Sequence, residues 1–226
     1  MTTMTMNADT AAPGSSARTR LRRQPEKAVT DSGTLCGILD AGLVGHLSVA
    51  DETGQPYVLP VAYARYQDTV LFHGSAASRL FRLCAAGAPV CFTVTLLDGL
   101  VLARSAFESS MDYRSVLVLG HCCVLHGQTK LAALERISER LMPGRWKEIR
   151  PPSARELQAT AVLELPLTQC SAKVSAGGPQ DDPADVGLPV WAGTVPLNES
   201  WCDPVPAADL APEFSSVPDY VRRWRR

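Results

Sequence analysis

Apolar residues recur along this chain in two rhythms, and the rhythm changes from segment to segment. In LVGHLSVA (43–50), YVLPVAYARY (57–66) and TVLFHG (69–74) they alternate or run together over strand-like lengths, with only DETGQP and QD between the runs. Short polar links between such runs predict antiparallel hairpins. VCFTVTLL (90–97), GLVLARSA (99–106), YRSVLVLGHCCVLH (113–126) and TAVLELPL (160–167) continue the pattern, with Asp98-Gly99 as the turn between the first two. Elsewhere the period lengthens to that of a helix. After Asp31, an N-cap candidate, Leu35, Ile38 and Leu39 recur at helical spacing until Gly42. ASRLFRLCAAG (77–87) places Leu80, Phe81 and Cys84 on one face, and KLAALERISERLM (130–142) repeats Leu131, Leu134, Ile137 or Ser138, and Leu141 before Pro143-Gly144. PPSARELQ (151–158) predicts a helical turn.

The sum is six or seven antiparallel strands with two or three helices between them, a mainly β chain of the α+β class. Its strands are too closely spaced for repeated βαβ units. A small closed or split β-barrel with helices at its edge fits best; a β-sandwich matches the strand count but leaves the helices at 77–87 and 130–142 without a natural place. Residues 1–30 mix Ala, Thr, Ser, Gly and basic residues without an apolar period and are expected to form a mostly disordered tail. The barrel is expected over 31–175. From SAGGPQDDPADVGLP onward, residues 176–226 are expected as loop and tail packed on it.

With 46% hydrophobic and 20% charged residues in 226, the composition is that of one globular domain. The net charge of -1 gives no reason to expect a nucleic acid or a membrane as partner. The basic ends, Arg18, Arg20, Arg22, Arg23 and Lys27 at one and Arg222, Arg223, Arg225 and Arg226 around Trp224 at the other, read as solvated tails. No stretch approaches the roughly 20 apolar residues that cross a bilayer, and the first residues are polar where a signal peptide is apolar, so a cytoplasmic address is expected. Seven irregularly spaced cysteines without C-x-x-C suggest neither a disulfide framework nor a zinc site. Cys84, Cys91, Cys122 and Cys123 lie in apolar runs and are expected as reduced core residues.

Two places hold candidate chemistry. In FHGSAASRLFR (72–82) a strand ends at His73, small residues follow, and a helix opens with Arg79 in its first turn. Backbone N–H groups, the Ser75 and Ser78 hydroxyls and a permanently charged guanidinium suit a phosphate there; a plain Ser cap with a solvated Arg79 fits the same residues. In YVLPVAY (57–63), Pro60 removes a ladder donor in mid-strand. Backbone groups from Leu59 through Val61 to Ala62 are then free to bond a flat heteroaromatic ring, unless Pro60 only marks a barrel corner. His46, His121 and His126 lack spaced partners for a metal, and no G-x-S-x-G elbow or Ser/His/Asp set emerges.

Several blocks in this order, RTRLRRQPEKAVTD (18–31), GQPYVLPVAYAR (54–65), DTVLFHGSAASRLFR (68–82), PVCFTVTLLDGLVLARSAF (89–107), YRSVLVLG (113–120), PGRWKEIRPPS (143–153), SAKVSAGGPQDD (171–182) and PVWAGTVPL (189–197), make the chain resemble the pyridoxamine 5′-phosphate oxidase-like flavoproteins, in the branch related to nitroimidazole-resistance proteins. The resemblance implies an FMN-binding split barrel that forms a homodimer, with FMN near the subunit interface and a small-molecule substrate. Leu59, Pro60, Val61 and Ala62 would then contact the isoalloxazine ring, and His73, Gly74, Ser75, Ser78 and Arg79 the phosphate, with Ser115 and Lys173 in the same pocket. Trp191 would be a lid or interface aromatic, or bury itself in its own core. Where the family pattern reads FHHSMNYRSV the chain has FESSMDYRSV, so Glu108, Ser109 and Asp112 replace two histidines and an asparagine. The resulting expectation is an FMN-dependent oxidoreductase whose flavin carries the redox step, so that no catalytic side chain is assigned. A storage or sensor protein for flavin or haem, with His73 or His121 as the iron ligand, is the rival, and a deazaflavin is a third choice of cofactor.

Overall fold

The computed structural model describes residues 12–224. Ten strands form one antiparallel sheet system that splits in two: β1 (Ala28–Val29), β9 (Cys170–Ser175), β6 (Ser110–His121), β5 (Pro89–Leu102), β2 (Val44–Ala50) and β3 (Pro56–Tyr66) follow in one order, and β3 continues through β4 (Thr69–Ser75) and β8 (Thr160–Pro166) to β7 (Cys123–Val124). β10 (Gly193–Pro196) adds to the far half of β5. The helices are α1 (Ser32–Ala41), α2 (Arg79–Ala85), α3 (Gly127–Leu141), α4 (Ala154–Ala159) and α5 (Asp219–Arg222). This is the split barrel with short helices that the pattern predicts. No helix among the described residues is long and apolar enough to cross a membrane.

The barrel closes around one large core. Leu47, Val49, Tyr63, Val70, Phe72, Phe92, Val94, Val116, Val118, Leu163 and Leu165 all point inward, each an alternate position of its strand. Phe92 stacks on Phe72 at 5.9 Å and meets Tyr63 edge-on at 5.2 Å. α1 packs Leu35, Ile38 and Leu39 against this core. Its first turn is capped by Asp31, which accepts from Thr34 N at 2.7 Å, and its last carbonyls are reached by the Tyr63 hydroxyl, 2.5 Å from Leu39 O. A second, smaller core of Ala64, Leu71, Ala133, Ile137 and Val162 joins α3 to the other face of β4 and β8.

Several expectations need correction. Asp98-Gly99 is no hairpin turn: β5 runs unbroken from Pro89 to Leu102, with a bulge between Leu97 and Gly99. The Asp98 side chain there holds Arg114 of the neighbouring strand at 2.7 and 2.9 Å, and β10 lies so close that a methyl on Gly99 would sit 2.8 Å from Val195 O. The run 113–126 is two strands, because after His121 the chain leaves β5 and pairs with β8 instead. β9, for which the pattern predicted no element, and the short β1 and β10 complete the sheet. Of the tail expected to lack order, residues 1–11 lie outside the described residues, as do Arg225 and Arg226. The rest is placed on the barrel: Gly14 N–H donates to Cys170 O at 2.8 Å, Thr19 is buried, and β1 pairs with β9. Among the cysteines Cys84 and Cys122 are in the core, Cys91 is half-buried, and Cys123 is exposed, because it faces away from its buried neighbour Cys122.

Candidate functional site

β3 is paired along Pro56–Ala62 with β2, but β4 joins its other edge only from Tyr63 onward. No other strand pairs with that second edge among the described residues, so the backbone of Leu59, Pro60 and Val61 faces the split on one side. Val58, Leu59 and Pro60 are all exposed, whereas Val61 turns into the core. Pro60 stands opposite His46, on the face directed away from the core.

Beside this edge the β4–α2 junction delivers its cation. Arg79 Nη1 donates to the Tyr57 hydroxyl at 2.6 Å and the guanidinium lies 5.0 Å from the centre of the Tyr57 ring. Tyr57 in turn donates to Asp51 at 3.2 Å, and Asp51 is fixed by Thr53 and Gln55, whose hydrogen bonds keep its carboxyl below the ordinary range. Strands rise about 3.3 Å per residue, so Tyr57, which Arg79 holds, lies roughly 7–10 Å along β3 from Leu59 and Pro60. The phosphate-binding and ring-binding candidates are thus neighbours. Tyr57, which joins them, escaped sequence reading; its place two residues before Leu59 was the available signal. Ser78 occupies the N-cap position of α2 without making a side-chain cap, and Ser75 Oγ instead accepts from Ala77 N at 3.3 Å. Gly74 is required here because the Phe81 ring approaches to 2.3 Å of where a methyl would stand.

His73 faces the other way. It shares its side of β4 with Leu71, on the face covered by α3, at one end of a groove of about 180 Å³ lined by Leu134, Ser138, Trp146, Pro152, Glu156, Leu157 and Thr160. Its ring is open to the groove, yet desolvation by the surrounding protein lowers its pKa, so it is neutral near pH 7. Neither ring nitrogen has a hydrogen-bond partner among the described residues. The walls are tied at both ends. Lys130 Nζ donates to Leu157 O and Thr160 O at 2.7 and 2.5 Å, and Glu139 accepts the N–H groups of Gly144 and Trp146 at 2.7 and 2.9 Å. Glu156 at the rim pairs with Arg150 and caps α4 through Ser153, which together hold its pKa at about 2. Neither Trp146 nor Glu139 was singled out from sequence.

Ser115 and Lys173 are cross-strand neighbours on β6 and β9, on the same outward face as Pro60 but three and four strands away, roughly 14 and 19 Å. Lys173 donates to Gln24 at 3.1 Å and lies 5.6 Å from the Tyr113 ring centre. A single chain therefore does not bring them to Arg79. Between the two ends this outward face carries exposed Val44, Val58, Leu97, Leu100, Met111 and Val195. Trp191 is 65% exposed and so is not part of its own chain's core. His121 donates through Nδ1 to Gly87 O at 2.9 Å and lines a different cleft from His73.

Residues 31–174 match the family described as pyridoxamine 5′-phosphate oxidase. The chain belongs to that family. Within this pyridoxamine 5′-phosphate oxidase family it is similar to the flavocytochrome of Azotobacter vinelandii, at 37% identity over 95% of this chain and 98% of that one, with a TM-score of 0.87. The FAD and haem binding protein of Mycobacterium smegmatis is 36% identical over 87% of this chain and 96% of that one, with a TM-score of 0.82. A candidate 5-nitroimidazole antibiotic resistance protein of Bacteroides thetaiotaomicron shares the fold at 22% identity and a TM-score of 0.55, over 65% of this chain and 86% of its own. Among curated proteins nothing matches the chain.

Proposed function

We propose that this protein binds a flavin and a haem and carries electrons through them from a donor to a small-molecule acceptor. The observation that carries the reading is that β4 ends between two sites of different chemistry. His73 turns to the apolar groove under α3 and α4, and the chain that follows it presents Arg79 to the open edge of β3. The two relatives that match this chain at 36–37% identity along most of its length support the pairing, one being a flavocytochrome and the other an FAD and haem binding protein.

The residues fit both groups. A neutral, unpartnered imidazole among Leu134, Trp146, Pro152 and Leu157 suits an iron-bound porphyrin edge. The groove is smaller than the roughly 300–1,000 Å³ of closed ligand sites, so a second surface would complete it. At the split, the Arg79 fork and the Ser75 and Ser78 hydroxyls suit a phosphate and the backbone of Leu59–Ala62 suits a flat ring. FMN is the expectation from sequence; FAD is the form proposed here, since the mycobacterial relative that binds it is 36% identical over 87% of this chain. When bound, haem supplies one-electron and dioxygen chemistry and the flavin one- or two-electron chemistry. The chain's own tasks are to hold the iron through His73, anchor the phosphate through Arg79 and keep water from the groove with its apolar walls.

A second copy laid on the outward sheet face would cover Leu97, Leu100, Met111 and Val195 and bring its Ser115 and Lys173 toward this chain's Arg79, so a homodimer belongs to the proposal. Seven free cysteines support a reducing, cytoplasmic setting. The test is the absorption spectrum of the purified protein, with the released flavin identified by mass. A Soret band lost in His73→Ala, with the flavin bands kept, and flavin lost in Arg79→Ala are the expected results. Charge-assisted hydrogen bonds of the size Arg79 would make predict a flavin Kd weakened by about tenfold to a hundredfold. A protein that takes up no haem, or a His73→Ala variant that keeps its Soret band, would refute the assignment.

A further inference from the structure

The loop between α3 and α4 forms one wall of the His73 groove through Trp146, and it is held from two sides. From within, Glu139 accepts the backbone N–H groups of Gly144 and Trp146. From outside comes α5, near the end of the chain. The Tyr220 hydroxyl donates to Glu148 Oε2 at 2.5 Å and accepts from Arg145 Nη1 at 3.2 Å, while Arg145 also reaches Glu148 at 3.3 Å. The aromatic ring lies over Gly144, where the chain turns with φ 91°; a methyl placed there would sit 3.7 Å from Tyr220 Cγ. Residues 144, 145 and 148 therefore all touch Tyr220, and Trp146 sits between them.

Three features separate this contact from ordinary surface packing. α5 buries no residue of its own and is one turn long, so neither a core nor helix propensity accounts for its order. The segment leading to it is secured in stages: Asp181, almost wholly buried, accepts from both the backbone and the guanidinium of Arg104 at 2.6 Å, β10 pairs with β5, and Trp201 meets Trp224 at 6.4 Å. The hydrogen bonds of Tyr220 fall on the loop that carries Trp146. We propose that Tyr220 is a positioning residue for the haem site, fixing through Glu148, Arg145 and Gly144 the loop that sets Trp146 against His73.

The consequence for haem rests on the cofactor reading above; the consequence for the loop does not. Tyr220→Phe keeps the ring and removes both hydroxyl contacts. In the full-length, cofactor-free protein, amide hydrogen exchange at 144–148 is expected to quicken roughly three- to tenfold, with exchange in β5 and β6 unchanged. In the haem-loaded protein, transfer of haem to a scavenger is expected to quicken by a similar factor and the Soret band to shift, with flavin content unaltered. Adding Tyr220→Phe to Trp146→Ala should then have little further effect on release, because both act through the same side chain. Unchanged exchange in Tyr220→Phe would overturn the proposal whatever the cofactor, and so would effects of the two substitutions on haem release that simply add. Quickened exchange in a protein that takes up no haem would leave Tyr220 as the holder of the loop and place the failure in the cofactor assignment.

Discussion

The imidazole of His73 connects the groove to pH. Desolvation lowers its pKa below the ordinary 6.5, so between the folded value and about 6.5 the unfolded chain binds more protons than the folded one. Stability contributed by keeping this ring neutral is present above that window and is lost as pH falls through it. The cofactor-free protein should therefore lose thermal stability as pH falls below about 6.5, and His73→Gln should show a smaller drop over the same range. Equal drops in the two proteins would show that His73 is not the group responsible. The same depression keeps the nitrogen free of a proton, as a metal ligand must be, to a lower pH than an exposed histidine allows.

At the level of elements, the close approach of β4 and α2 makes a clear prediction. Gly74→Ala drives a methyl to 2.3 Å from the Phe81 ring, which is itself packed edge-on to Phe72 at 6.4 Å. Overpacking of this kind costs about 1–3 kcal/mol, measurable as a lower urea midpoint, and it would displace the Ser75–Arg79 junction as well. An unchanged midpoint would show that Phe81 moves aside freely. Elements such as β2, β4, α1 and α2 were legible in the sequence because each carries its own apolar period and its own stop. β9 was not, because CSAKVS offers only a weak alternation and gains its burial from β6 and β1. Asp98-Gly99 reads as a hairpin by local chemistry, yet pairing on both sides of β5 overrides the turn and leaves a bulge. Of the candidate site, the β4–α2 junction and Pro60 were visible as breaks in a pattern. Tyr57, Trp146 and Glu139 break none; their roles depend on contacts the strand order creates.

For the whole molecule, the outward sheet face is the surface to challenge. Leu100 is exposed there, opposite Met111 and Val195, so Leu100→Glu should leave the fold intact and shift the proposed homodimer to monomer in light scattering. In the proposed assembly flavin retention should fall with it, since Ser115 and Lys173 would no longer approach from the second copy. A wild-type protein that is monomeric at all concentrations would exclude that arrangement. The margins of the sheet point the same way. Both of its end strands, β1 and β7, are two residues long, and Gly14 occupies a further carbonyl of β9. Each of these two ends offers another molecule only a two-residue strand, and the open edge of β3 is interrupted by Pro60, a deterrent to fibrillar growth and to runaway polymerisation. Association is thereby directed to the faces of the sheet, where it can close on itself and stop.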